Sequence, residues 1–231
     1  MSPYIRSATF FSSLFTIQLT LVMASIREKM IKGVFWSAIE KYSSQLIALI
    51  VTMVLARLLS PQEYVVVAIA TVLISFLSIF STMGFGPAII QRKDLEQSDY
   101  DSIYSFSFFL GCGLFLILFL SAGFFSSYYD NEQLKGVIRI LSVNLFFASI
   151  NVVPNALMYK NQRFKEIAKR TLLIQLITGP VSILAAYLGL GVYSLLISPV
   201  VTAIFMFVYN LHRYPCIFYF HFSFAPIKKV F

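Results

Sequence analysis

Six apolar segments, each about as long as a membrane-crossing helix, follow one another along this chain with short polar loops between them. A helix needs roughly 20 apolar residues to cross the hydrocarbon core of a bilayer. A β-barrel is excluded, because its strands would alternate polar and apolar residues, whereas these segments are apolar on most faces. The predicted fold class is therefore an all-α, polytopic membrane protein with a six-helix transmembrane bundle. We place the spans approximately at 33–59, 64–90, 103–125, 136–158, 171–188 and 192–211.

The composition excludes a water-soluble fold. Charged residues make up 12% of the chain and hydrophobic residues 58%, with a mean hydropathy of +0.81, whereas soluble domains carry about 25% charged residues. In a soluble protein the net charge of +8 would favour nucleic acid as a partner. Because most lysines and arginines here lie in loops beside apolar spans, we expect membrane lipids as partners and no nucleic acid.

The distribution of basic residues between loops predicts the orientation of the chain. Positive charge near a membrane is retained on the cytoplasmic side. One alternating set of loops and flanks holds thirteen lysines and arginines, and the opposite set holds three, namely Arg57, Lys135 and Arg139. The pattern predicts an even number of spans, with both termini and the loops 91–102 and 159–170 on the cytoplasmic side of the cytoplasmic membrane.

The two ends of the chain differ from the bundle at 25–212. Residues 1–24 contain a short apolar run from Phe10 to Val22, which is either a signal-like segment or an extension upstream of a start at Met23. Residues 213–231 form a predicted cytoplasmic tail. The turn Gly189-Leu190-Gly191 is so short that the last two spans must form an antiparallel helical hairpin.

Polar side chains recur on one face of several spans, at the spacing of three and four residues that aligns a helix side. Such stripes are typical of transporters, which enclose a hydrophilic path. The alternative for the charged pair in the first span is that Lys41 extends to the headgroups and Glu40 pairs with it or with another helix. The predicted substrate path comprises Glu40, Lys41, Ser44, Arg57, Asn144, Asn151, Asn155 and Gln175.

Glycine and proline interrupt several of the spans. Broken helices border binding sites and act as hinges in transporters, although both residues are also common in ordinary transmembrane helices. The hinge candidates are Gly84, Gly86, Pro87, Pro154, Gly179 and Pro180.

No pattern of soluble catalysis is present in the sequence. Phosphate-binding loops, nucleophile elbows and zinc-protease motifs are absent, and the two cysteines lack metal-ligand spacing. We expect neither catalytic residues nor a metal or cofactor. The acidic run at Asp94, Glu96, Asp99 and Asp101 is interpreted as a solvated cytoplasmic loop.

Five blocks in this order resemble the polysaccharide flippases of the multidrug/oligosaccharidyl-lipid/polysaccharide exporter superfamily. They begin with a first helix at 29–41 and the block Leu55-Ala56-Arg57-Leu58-Leu59-Ser60-Pro61, which is the most specific. The segment 84–93 leads into the acidic loop, and the tyrosine-acid run 128–132 and the basic run 161–165 follow in place. The resemblance covers roughly residues 25–225.

The resemblance implies a flippase of the bacterial inner membrane that moves an undecaprenyl-diphosphate-linked oligosaccharide to the periplasmic leaflet, for O-antigen, capsule or exopolysaccharide synthesis. Such flippases have two lobes of about six helices, and this sequence corresponds to the N-terminal lobe with the start of a linker. It implies a truncated or split form, whose second lobe is another chain or a second copy. The alternatives are a membrane-integral sugar polymerase or transferase, which would be expected to carry a large extracytoplasmic loop, and a drug or organic-cation antiporter.

Overall fold

The chain folds into seven helices in a computed structural model that describes residues 3–82, 85–92 and 95–213, and the side chains of 28, 31–81, 85–92 and 95–213. Within these ranges the regular elements are helical. Their bounds are α1 Pro3–Leu58, α2 Pro61–Thr82, α3 Phe85–Gln91, α4 Gln97–Tyr128, α5 Glu132–Lys160, α6 Phe164–Tyr187 and α7 Tyr193–Arg213.

Six stretches of these helices are long and apolar enough to cross a membrane. The first is Ile31–Leu58 within α1, and the second, Pro61–Gln91, is formed by α2 and α3 together. The remaining four coincide with α4, α5, α6 and α7. The predicted class of an all-α membrane protein with six spans is confirmed.

Helix α5 lies at the centre of the bundle and packs against α2, α3, α4 and α7. Two apolar clusters surround it. One joins α2, α4, α5 and the start of α7, with Ala70, Leu118 and Ile138 fully enclosed. The other joins α3, α4 and α5 around Phe85, Ile103 and Val153. About half of the α5 span is therefore buried inside the bundle.

Helix α1 packs mainly against α6. A Cβ added at Gly33 would lie 3.0 Å from the Phe164 ring, and one at Gly179 would lie 2.9 Å from Val51 Cγ2. The two helices therefore run in the same direction and approach closely where a side chain is absent, as is typical of packing in membranes. The other faces of α1 leave Leu46, Ile50, Met53 and further apolar side chains exposed.

The Ser60-Pro61 block forms the turn between α1 and α2. The carboxylate of Glu63 accepts hydrogen bonds from the backbone N–H and the hydroxyl of Ser60, at 2.7 and 3.0 Å, which satisfies donors at the start of α2. The same carboxylate lies against Gly191. Gly191 has a φ of +52° in the predicted turn between α6 and α7, so this end of the bundle joins two turns through Glu63.

The structure locates most of the predicted hinge residues in or beside continuous helices. Pro154 lies inside α5 and Pro180 inside α6, beside the buried Gly179. Gly86 and Pro87 lie in α3, and Gly84 lies outside the described residues. Their action as hinges stays a prediction.

The structure describes the start of the chain from residue 3 and the acidic run from residue 95. The backbone of α1 is helical from Pro3 onward, whereas the predicted tail from residue 214 lies outside the described residues. The interpretation of 94–101 as a solvated loop was wrong for Asp99, which is 5% exposed. Its carboxylate accepts a 3.1 Å hydrogen bond from the backbone N–H of Glu96. This bond is part of the capping box at the start of α4.

Candidate functional site

A cleft of about 1230 Å³ is lined by α1, by the ends of α3 and α5 and by the start of α6. It lies at the end of the bundle that holds the α5–α6 turn, which we call the predicted cytoplasmic end. The cleft is larger than the roughly 300–1,000 Å³ of most small-molecule pockets, and its wall is mostly apolar with a few polar groups, as binding sites generally are. The residues that line it include Ser37, Glu40, Lys41, Tyr42, Gln45, Ile90, Tyr159, Lys160 and Gln162.

Glu40 and Lys41, which the sequence singles out, both line this cleft. Glu40 is half-buried and Lys41 is exposed. Because Gly33 meets Phe164 and Val51 meets Gly179, Glu40 lies at about the level of Arg170 on α6. The charged pair therefore lies about two helical turns inside the first span, on a wall that is open to the cleft.

Lys160 closes the opposite side of the cleft. Its ammonium donates to the backbone oxygen of Arg92 at 2.6 Å and to the Tyr100 hydroxyl at 2.7 Å. These bonds tie the end of α5 to the end of α3 and the start of α4. The cationic group is thus held in place beside the cleft by two neutral acceptors.

A second polar cluster lies among α5, α6 and α7. The guanidinium of Arg170 donates to the side-chain oxygens of Asn210, at 2.6 Å, and Asn155, at 3.0 Å. Asn210 in turn donates to Asn151 at 2.8 Å, and Asn151 donates to the backbone oxygen of Ala203 at 3.1 Å. We call these four side chains, Arg170, Asn210, Asn155 and Asn151, the amide cluster.

The amide cluster is enclosed by protein. Arg170 is 6% exposed and Asn210 is 1% exposed, and the guanidinium also contacts the sulfur of Met158 and lies 5.5 Å from the centre of the Tyr209 ring. The hydrogen bonds from its two terminal nitrogens to asparagine oxygens offset part of the cost of burying the charge. The cluster therefore connects three helices at the predicted cytoplasmic end, and Asn151 and Asn155 contribute to that connection.

The remaining predicted path residues lie at separate places. Ser44 and Gln175 occupy similar levels on α1 and α6, and among the described residues neither Ser44 Oγ nor Gln175 Oε1 has a hydrogen-bond partner. Asn144 is half-buried on α5, and Arg57 is exposed in the last turn of α1. The structure thus brings Glu40 and Lys41 to one cleft, and Asn151 and Asn155 to the amide cluster, while a shared path stays a prediction.

The sequence did not predict that Arg170 and Asn210 are the hydrogen-bond partners of Asn151 and Asn155. Arg170 was counted among the loop charges because the fifth span was predicted to begin at 171, whereas α6 begins at Phe164. Asn210 lies three residues before the end of α7 and was not among the predicted path residues. The available signal was that Asn151 and Asn155 share one face of α5 and need a polar neighbour.

Among the described residues, no group of three histidine, cysteine or acidic side chains is placed to hold a metal ion. The half-buried Cys112 lies in α4. The side chains that line the cleft offer a carboxylate, ammonium groups, amides and tyrosine hydroxyls.

Relatives of this chain are named for polysaccharide biosynthesis and transport. It is 24% identical to the succinoglycan biosynthesis transport protein ExoT of Rhizobium meliloti, over 79% of this chain and 37% of that protein. It is 28% identical to the lipopolysaccharide biosynthesis protein WzxC of Escherichia coli, over 62% and 29%. It is 25% identical to the teichuronic acid biosynthesis protein TuaB of Bacillus subtilis, over 64% and 30%.

The chain spans about a third of the length of the curated relatives that it matches. No solved structure matches it. A family model described as polysaccharide biosynthesis protein matches residues 54–231, which is most of the sequence. This chain therefore belongs to the polysaccharide biosynthesis protein family.

Proposed function

We propose that this chain is one lobe of a flippase that moves undecaprenyl-diphosphate-linked oligosaccharide repeat units from the cytoplasmic to the periplasmic leaflet. The family and the relatives support export in polysaccharide biosynthesis. The glycans in the relatives' names differ, so their shared feature is a saccharide built for export. We place the lobe at residues 25–212 and the start of a linker at 213–231.

The observation that carries this proposal is the cleft beside α1. It opens at the predicted cytoplasmic end, where the lipid-linked substrate would be loaded, and it presents Lys41 and Lys160 on opposite sides. Ammonium groups suit a diphosphate. Tyrosine and glutamine side chains along the wall supply hydrogen-bonding groups for sugar hydroxyls.

The exposed faces of α1 support a substrate path that lies between this lobe and a second one. Alternating access needs two repeats or bundles that move against each other around a site at their interface. In this lobe α1 packs mainly on α6, and its apolar residues on other faces are exposed. We infer that a second lobe covers the cleft.

Transport is favoured over sugar polymerisation or transfer. The described connections at the end opposite the predicted cytoplasmic end are short turns, at 59–60, 129–131 and 188–192. A polymerase or transferase would need groups that hold the acceptor and activate it, and short turns offer little surface for them.

Photocrosslinking tests the cleft as a substrate site. A photoreactive amino acid at Tyr42 would contact the ligand, whereas the same group at Phe109 on α4, exposed at a similar depth outside the cleft, is the control. The probe is a radiolabelled polyprenyl-diphosphate oligosaccharide in vesicles. We expect adducts at Tyr42 that unlabelled probe displaces and phosphatidylglycerol does not. Equal labelling at the two positions would contradict the assignment.

A further inference from the structure

A cationic and aromatic patch lies on the outer side of α1 and α6, away from the cleft. The ammonium of Lys165 lies 5.6 Å from the centre of the Trp36 ring, and Lys169 is exposed one turn further along α6. We call Trp36, Lys165 and Lys169 the Trp36 patch. None of the three lines the cleft, so the patch is a separate surface.

The patch is held by the close contact between the two helices. Gly33 meets the ring of Phe164, directly before Lys165, and this contact fixes the start of α6 beside the first turns of the α1 span. Lys165 is thereby placed against the half-buried indole of Trp36. The cation–π contact orders a lysine that would otherwise be mobile.

An apolar stripe continues from the patch along α6. Leu173, Leu176 and Leu184 are 62%, 59% and 60% exposed, and they follow Lys169 at the spacing of one helix face. The stripe faces the lipid tails, while the patch lies within about two turns of the ends of both spans. Tryptophan and lysine at this depth are typical of the headgroup region.

We propose that the Trp36 patch binds the phosphate of an anionic phospholipid, with the acyl chains along the leucine stripe of α6. Lys165 and Lys169 supply two ammonium groups about one turn apart, and the indole N–H supplies a neutral donor. Lys32 lies on the same side of α1, where its ammonium is 2.6 Å from the Glu28 carboxylate. This bond and the neighbouring positive charge lower the pKa of Glu28, so Lys32 is engaged and the lysines of α6 carry the binding.

The chain contains one tryptophan, so its fluorescence reports directly on the patch. The test compares the quenching of Trp36 by phosphatidylglycerol and by phosphatidylcholine, each carrying dibrominated acyl chains, with the full chain reconstituted in mixed vesicles. A basic residue at a membrane surface changes anionic-lipid binding by about fivefold. We expect at least that preference for phosphatidylglycerol in the natural sequence.

Two variants decide the assignment. Lys165→Gln with Lys169→Gln should bring the preference close to one, because both ammonium groups are lost while Trp36 remains. Lys135→Gln removes an exposed lysine at the opposite end of the bundle and should leave the preference unchanged. An unaltered preference in the double variant would overturn the proposal. Loss of the preference on adding inorganic phosphate would also overturn it and assign the patch to free phosphate. Loss of the preference on adding undecaprenyl diphosphate would overturn it and assign the patch to the carrier lipid.

Discussion

The guanidinium of Arg170 on α6 donates a 2.6 Å hydrogen bond to the side-chain oxygen of Asn210 on α7, and both residues are buried. Through Asn151 and Asn155 the same cluster reaches α5. Three helices are therefore joined at one level, next to the cleft whose far wall is α1. The cleft thus lies between a hydrogen-bonded group of three helices and a helix that packs mainly against α6.

Removal of the Arg170 side chain should destabilise the bundle. Arg170→Met keeps much of the apolar stem but leaves Asn155 and Asn210 without their charged donor, and we expect a loss of roughly 2–3 kcal/mol in the free energy of unfolding. Denaturant titration in detergent micelles measures it. Lys169→Met, at the neighbouring exposed position, is the control and should change the free energy by about 0.5 kcal/mol or less. Equal midpoints for the two variants would show that the amide cluster contributes little.

The turn at Gly191 should tolerate substitution less well than other glycines. Gly191→Ala places a Cβ at a φ of +52° and against the Glu63 carboxylate, so we expect a cost above the roughly 1–2 kcal/mol of the left-handed conformation alone. Gly189→Ala, with a φ of +80° and no atom near the added Cβ, should show the conformational cost only. Gly113→Ala, inside α4 with open space around it, should be neutral or slightly stabilising. The order of the three melting temperatures in detergent tests this ranking.

The contact between α1 and α6 should control the cleft. Gly179→Leu adds a side chain where Val51 Cγ2 would lie 2.9 Å from its Cβ, which forces the helices apart. We expect the photocrosslink at Tyr42 to fall, because the cleft wall moves. Gly123→Leu, at a helical position with nothing near the added Cβ, is the matched control. Undiminished crosslinking in Gly179→Leu would mean that this contact does not set the cleft geometry.

The orientation of the chain is tested by labelling engineered cysteines in a background that lacks Cys112 and Cys216. Because thirteen basic residues fall in the predicted cytoplasmic set, a membrane-impermeant reagent added from the periplasmic side should miss Lys165→Cys. The same reagent should label Lys135→Cys, which lies near the other end of α5. Strong labelling of Lys165→Cys from outside would reverse the predicted topology.

Some parts of this fold follow from sequence alone because their causes are local. The six spans depend on length and hydropathy, and the Gly189-Leu190-Gly191 turn depends on residues that adopt positive φ readily. The common face of Asn151 and Asn155 follows from helical periodicity. Both side chains indeed contact Asn210.

Other parts depend on contacts between distant helices, which periodicity does not encode. The hydropathy pattern placed the start of the fifth span at 171 and therefore Arg170 in a loop. A buried arginine is costly unless partners satisfy it, and the sequence does not show that asparagines from two other helices do so. Likewise, the polar stripe of α1 does not specify its neighbours. The approach of Gly33 to Phe164 and of Gly179 to Val51 sets the position of α1 against α6, and Glu40 and Lys41 line the cleft beside it.

Translocation by the purified chain tests most directly whether it is one lobe of a flippase. The measurement follows a fluorescent polyprenyl-diphosphate oligosaccharide across liposome membranes by quenching from outside, together with its photocrosslinking at Tyr42. Because one lobe supplies only one wall of the path, we expect crosslinking but no translocation above protein-free liposomes while the chain is monomeric. Translocation only where chemical crosslinking shows a homodimer would agree with a second copy as the missing wall. Translocation by a monomer, or no crosslinking at Tyr42, would contradict the proposed function.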